Sequence, residues 1–334
     1  MDRPDALRLE LLAAPAGAPS WDDTLGAALF AEQVPTEGLA CPSGVPLARV
    51  CLPQLGEPRA VIERWRIGAP VRSGAHRAVG YAHGETFLFG ALQVPERAAA
   101  GGRSALERAT AHAYRQIHAA LGATGFPHLL RVWNYLPGIN RESHGTERYQ
   151  QFNRARQEAL LACGRRIRGS VPAASALGSA AGPLALYFLA GREAPECLEN
   201  PRQVSAYHYP GQYGPCAPSF SRATLVRHRG ATLFISGTSS ILGHRTVHAG
   251  DPAAQTRETL ANIEALLEQA RRRGAGPFPL ESLAYKVYVR HARDLPLIRA
   301  ELDARVGAAA RVYLQADICR RDLSVEIEAV GERT

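Results

Sequence analysis

The feature that most restricts how this 334-residue chain can fold is that its pattern appears twice. Gly84–Ala91 is GETFLFGA and Gly230–Gly237 is GATLFISG. Each is a short apolar run opened by glycine and rich in Thr and Phe, which is a strand signature. Each leads through a polar stretch into a long amphipathic helix, Ser104–Leu121 in the first case and Pro252–Arg272 in the second. In the second helix Thr259, Ile263, Leu266 and Leu267 share one face, with Leu260 beside them. Asp251 before Pro252 suits a helix start, with an N-cap followed by proline at the first position. Another strand follows each helix: Leu129–Tyr135 and Leu283–Arg290. Further helices over Glu147–Cys163 and Pro296–Val306 come next. The halves close on strands at Leu184–Leu189 and at Val312–Val330, the latter broken near Arg320–Asp322. A period this long exceeds solenoid repeats and implies duplicated domains.

The stretch Gly164–Pro183, rich in Gly, Ser, Ala and Pro, reads as the loop or linker between the halves. The division is therefore set at residues 1–183 and 184–334. The expected architecture is α+β: two like units, each a mixed sheet with helices packed on one face.

Composition excludes several classes. The hydrophobic fraction is 46% and the charged fraction 21%, as in ordinary globular proteins. No apolar run approaches the roughly 20 residues that span a bilayer. The N-terminal MDRPDALRLE carries acids where a secretory signal needs basic residues, so the expected location is cytoplasmic. The six cysteines, Cys41 among them, show no CxxC or zinc-finger spacing and read as free thiols. The net charge is +8, carried almost wholly by arginine, since Lys286 is the only lysine. The basic residues are scattered apart from Arg271–Arg273 at a helix end, where they suit the dipole. That pattern favours a field that gathers a small anion over a nucleic-acid surface.

No GxGxxG, Walker, GxSxG or HExxH motif is present. Three other regions offer chemistry. Ser205–Arg222 holds Tyr207, Tyr209 and Tyr213 on a Pro/Gly-stiffened loop; it reads equally as a binding wall or as a surface loop with tucked aromatics. In the closing strand Leu323, Val325, Ile327 and Ala329 form one face, and Ser324, Glu326 and Glu328 the other. Two acids on one strand face usually mark a solvated edge. A catalytic role requires one of them to be buried at a cleft, where desolvation lets it hold a proton near neutrality. Arg154 and Arg156 could grip a carboxylate or simply lie on a helix surface.

The segments LFISGTSS (Leu233–Ser240), AQTRETLANIEALL (Ala254–Leu267), KVYV (Lys286–Val289) and VEIEAV (Val325–Val330) resemble the RidA (YjgF) family. Over most of the chain LLRVWNYLPGIN (Leu129–Asn140), ERYQQFNRARQEAL (Glu147–Leu160), NPRQVSAYHYPGQYGPCAPSFSRA (Asn200–Ala223) and ADICRRDLSVEIE (Ala316–Glu328) resemble the chorismatase family. That resemblance implies two RidA-like units, a divergent one in 1–183 and one in 184–334 that carries most of the active site. It implies a cofactor-free, metal-free enzyme that releases pyruvate from chorismate. Glu326 would protonate the enolpyruvyl methylene, and Arg156 of the FNxxR motif would anchor a carboxylate. Tyr149, Tyr207 and Tyr213 would surround the substrate, with Arg222 as a second anchor. Cys319, seven residues before the acid, matches the branch that aromatises the ring to 3-hydroxybenzoate. A second product-determining position lies in the GTSS loop, at Ser239 or Ser240, where the family has a small residue.

The resemblance extends to a bifunctional, xanthomonadin-type branch that makes 3- and 4-hydroxybenzoate for pigment and ubiquinone synthesis. The competing readings are a chorismate hydrolase giving a dihydrodiol, a RidA-type enamine deaminase using Arg290, and a non-catalytic anion-binding module. The chain could act as a monomer or, like RidA proteins, as a trimer.

Overall fold

A computed structural model describes residues 6–14, 20–33, 42, 44–57, 59–98 and 101–333. Cys41 and parts of the N-terminal stretch lie outside the described residues. The chain opens with a four-stranded sheet: β1 (Arg8–Ala13), β2 (Thr24–Ala31), β3 (Leu47–Cys51) and β4 (Val61–Arg66), in the order β1-β4-β2-β3. The sequence reading assigned no element here.

The first unit follows with β5 (Arg72–His76), β6 (Val79–His83), β7 (Phe87–Val94), α1 (Ala105–Thr124) and β8 (His128–Pro137). A small hairpin of β9 (Glu142–Ser143) and β10 (Thr146–Glu147) precedes α2 (Arg148–Ala162); β11 (Ala173–Ser179) and β12 (Leu184–Gly191) complete the unit. Helix α1 starts at a capping box: Ser104 Oγ accepts from the Glu107 amide, and the Glu107 carboxylate accepts from the Ser104 amide. It ends at Gly125, whose positive φ permits the amide to bond back to Leu121.

The second unit contains β13 (Glu196–Leu198), β14 (Ala223–Arg227) and β15 (Ala231–Ser239), the small hairpin β16 (Ile241–Leu242) and β17 (Arg245–Thr246), and α3 (Pro252–Ala270). It continues with β18 (Ala284–Val289), α4 (Leu295–Val306), β19 (Arg311–Gln315) and β20 (Val325–Arg333). As expected, Asp251 caps α3, accepting from the Ala254 amide at 2.9 Å, with Pro252 at the first helical turn.

The duplication is visible in strand order. The first sheet runs β11-β8-β12-β7-β6-β5, and the second, read from the same side, β19-β18-β20-β15-β14-β13. β11 is parallel to β8 and β19 to β18, whereas β12 and β20 run antiparallel to both their neighbours. Helices α1 and α2 cover one face of the first sheet, and α3 and α4 one face of the second. The opposite faces of both sheets share a core with the four-stranded sheet. In that core Trp65 of β4 lies 5.8 Å from Trp133 of β8 and 5.8 Å from Phe234 of β15. The α+β expectation holds.

Three boundaries differ from the sequence reading. Gly164–Pro183 is not only a linker, because it contains β11, a buried parallel strand of small residues. β12 pairs with β7 and β8 inside the first sheet, so a division after residue 183 would cut it from its neighbours. The change of sheet comes between Gly191 and Glu196. Val312–Val330 is two strands on either side of β18, joined by the loop 316–324. Among the described residues no helix is long and apolar enough to cross a membrane.

Candidate active site

β20 is a central strand, flanked by β15 and β18. Its period of two sends Val325, Ile327 and Ala329 into the core beneath the helices. Glu326 and Glu328 face the other way, into the space shared by the sheets, and are only 3% and 4% exposed. The solvated-edge reading of these acids therefore does not hold.

The two carboxylates have opposite surroundings. Glu328 accepts from Arg131 Nη2 (2.7 Å), Ser175 Oγ (2.6 Å) and Trp133 Nε1 (2.8 Å), and pairs with Lys286 Nζ at 2.6 Å. Burial pushes its carboxyl up, but Lys286 and Arg131 outweigh burial and hold it below its ordinary value. Glu326 has no such ion pair. Burial, and then the charge of Glu328, push its carboxyl up to about 8, against smaller opposing effects of Arg131, Ser239 and Arg290. Glu326 is thus a carboxylic acid that keeps its proton at neutral pH.

Glu326 opens onto a cavity of about 540 Å³ between the units. Gly237 gives it room: a Cβ there would overlap the Glu326 carboxyl oxygen and stand 3.2 Å from Ser175 Oγ. Cys319 Sγ lies 4.0 Å from Glu326 Oε2. Burial, and then Glu326, push its thiol up to about 12, so it is neutral as well. Tyr149, in the first turn of α2, reaches the cavity from the first unit. Its phenol is raised, first by burial and then by Cys319.

The opposite wall is cationic and aromatic. Arg222, 3% exposed, lies over the rings of Phe220 and Tyr209 and donates to Val204 O and Tyr209 Oη, both at 2.8 Å. Arg320 stacks over Tyr213 at 4.0 Å and Tyr209 at 5.2 Å, and donates to His244 O at 2.9 Å. Tyr213 donates to the same carbonyl at 2.7 Å. Arg222 Nε and Arg320 Nη2 are buried without a hydrogen-bond partner. Two fixed guanidiniums with donors to spare suit a small ligand bearing carboxylates.

Of the residues expected at the site, Glu326, Cys319, Tyr149, Tyr213, Arg222 and Ser239 line the cavity. Three do not. Arg156 is buried behind the wall, donating to Ser219 O with its guanidinium over the Tyr114 ring. Tyr207 packs on His208, because the 3₁₀ turn Ala206–His208 rotates it away. Ser240 is fully buried and donates to Val247 O, since alternation along the chain sends it to the face opposite Ser239. Tyr209 and Arg320 line the cavity unforeseen. Both lie in motifs already singled out, but only the turn geometry selects them.

The raised carboxyl of Glu326 has a consequence for stability. The folded state favours its neutral form. The resulting stabilisation is fully present below the ordinary glutamate value and is lost as pH rises towards about 8. Glu326→Gln cannot ionise. Its stability relative to the parent should therefore grow between about pH 5 and 8, by up to about 1.4 kcal/mol per pH unit. Denaturant unfolding of both proteins across that range checks this; a constant difference would mean that Glu326 titrates normally.

The chain is similar in sequence and in fold to known proteins. Residues 63–190 match the family model described as "Chorismatase FkbO/Hyg5-like, N-terminal". A chorismatase of Streptomyces rapamycinicus is 41% identical over 82% of this chain and 83% of its own. A 3-hydroxybenzoate synthase of Streptomyces hygroscopicus is 40% identical over 80% of each chain. A crystal structure of a chorismatase superposes with a TM-score of 0.86 at 33% identity, covering 98% of both chains.

Proposed function

The chain belongs to the chorismatase family, and from that premise we propose that it converts chorismate to 3-hydroxybenzoate and pyruvate. The observation that carries this reading is a protonated, buried Glu326 at the wall of a cavity that also presents Arg222, Arg320 and Arg321. Chorismate carries two carboxylates and an electron-rich enol ether. Of these arginines, Arg222 and Arg320 are the proposed partners of those carboxylates, and Tyr209 and Tyr213 hold both guanidiniums in place. Arg156 supports this wall from behind through Ser219.

Glu326 delivers its proton to the terminal methylene of the enol ether. The double bond becomes a methyl group attached to an oxocarbenium carbon. The glutamate, now ionised, lies beside that cation and stabilises it. The ether bond at ring C3 breaks and pyruvate leaves with that oxygen as its carbonyl. The C4 hydroxyl oxygen moves onto C3, and loss of the C3 proton, which balances the one given by Glu326, makes the ring aromatic. The two products together contain the atoms of the substrate, so the conversion is redox-neutral and the proposal includes no cofactor.

Cys319 is the proposed product-determining residue. Its neutral thiol stands beside the acid, where it can shape the path of the ring after pyruvate departs. Ser239 is the loop serine that faces the same space, and the 4-hydroxy isomer is a possible second product. Cys319→Ala should shift the product mixture while turnover continues. Chromatographic separation of the aromatic products reads this, and an unchanged ratio would remove Cys319 from the role.

A general acid must be protonated to act. The kcat/KM for pyruvate release should therefore be level below neutrality and fall above about pH 8, the value to which Glu326 is raised. A profile that rises through this range would contradict the reading. The deaminase alternative needs a free arginine at the end of β18. Arg290 is committed there: it donates to the carbonyls of Ile318, Arg320 and Leu323 and to Asp317 and Asn140.

A further inference from the structure

Behind Glu326, outside the cavity lining, lies a closed set of buried charges drawn from all three sheets. Lys286 of β18 pairs with Glu328 of β20 at 2.6 Å and with Glu63 of β4, and donates to Tyr187 Oη at 2.7 Å. Arg131 of β8 pairs with Glu328 at 2.7 Å. Glu63 accepts from Trp65 Nε1 at 2.7 Å and from Tyr187 Oη at 3.0 Å. Each of these four ionisable groups is at most 4% exposed.

The charges can be counted. Glu63, Glu326 and Glu328 are three buried carboxyl groups, and Lys286 and Arg131 are two buried cations. The cations are spent on Glu63 and Glu328, which leaves the cluster neutral only while Glu326 is neutral too. We infer that Glu63, Lys286, Arg131 and Glu328 form a charge-balanced cluster that commits both cations to two carboxylates and so reserves the acid form for Glu326. Glu328 and Glu63 are then positioning residues for the proton. Glu63 acts from a sheet that contributes nothing to the cavity lining.

The other groups that face Glu326 are consistent with this. From β15 comes the Ser239 hydroxyl, from β18 comes Tyr288, its cross-strand neighbour, and just past the end of β18 comes Arg290. The loop before β20 supplies the neutral Cys319, and α2 supplies the phenol of Tyr149. Arg290 bonds to Asp317 and four other acceptors, so it is not a free counter-ion. The inference rests on Glu326 as the acid.

The test replaces the charge while keeping the shape, in the full chain. Glu328→Gln leaves two cations facing Glu63 and Glu326, so Glu326 should ionise more readily. The alkaline limb of kcat/KM for pyruvate release from chorismate should move to lower pH by roughly one to three units. Glu63→Gln should move it the same way by less. A purely structural role would lower the melting temperature and leave the limb in place. A limb unmoved in both variants overturns the inference. If Glu328→Gln does not fold, Glu63→Gln alone decides it on the same criterion.

Infrared titration separates this from failure of the proposed reaction. The protonated-carboxyl band that disappears in Glu326→Gln should titrate at lower pH in the Glu63 or Glu328 variant, whether or not chorismate is turned over. A band that titrates at the same pH in all of them overturns the inference.

Discussion

Replacing Glu326 with Gln should slow pyruvate release from chorismate by about a hundredfold or more, the usual range for a lost general acid. The substitution keeps the length and planarity of the side chain. It also keeps the neutral state that the buried site favours, so the fold and the cavity survive. What disappears is the proton. An amide cannot give one to a carbon at any pH reached in an assay, nor become the anion that stabilises an oxocarbenium ion. The loss should therefore appear in kcat, with KM changed little, because Arg222 and Arg320 still hold the carboxylates. Steady-state kinetics by pyruvate detection reads both terms. Turnover within a few fold of the parent would take the acid role away from Glu326.

A comparable loss is expected from a methyl group alone. Gly237→Ala places a Cβ where the Glu326 carboxyl oxygen now lies. The obstructing atom is the far end of a side chain, so Glu326 can rotate away and the protein can still fold. Its proton then no longer points at the bound enol ether. Displacement of a reacting group by about 1 Å can cost roughly a hundredfold, and that is the expected fall in kcat. The melting temperature should move far less than the activity, because the atoms that crowd the new Cβ most closely belong to the movable end of Glu326, and Ser175 Oγ stands at 3.2 Å. Paired thermal unfolding and kinetics on the variant check this. Full activity would show that Glu326 has a second productive position.

Much of the architecture is legible in the sequence because its strands and helices alternate in the same order twice. Short apolar strands, one capped helix start and the order of elements carry that signal without any long-range information. Two of the missed elements share a physical reason. Thr24–Ala31 is buried throughout, and Ala173–Ser179 almost throughout, so neither shows the polar alternation of a half-exposed strand. The small residues of Ala173–Ser179 also mimic a linker.

The site was less legible. Alternation placed Glu326 and Glu328 on one face but could not say that the face is covered by another sheet. The resemblance supplied the acid and Cys319. It did not foresee that Arg156 lies behind the wall, or that Tyr209 rather than Tyr207 lines the cavity, since a single 3₁₀ turn decides the latter. The Glu63–Lys286–Glu328 cluster has no local pattern at all. Its members come from different sheets and meet only in the folded core.

The most direct test of the central claim is to incubate the purified protein with chorismate, separate the products and quantify each against pyruvate. The account predicts hydroxybenzoate and pyruvate in equal amounts, with the 3-hydroxy isomer present. Absence of pyruvate, or pyruvate accompanied only by a non-aromatic dihydrodiol, would contradict it.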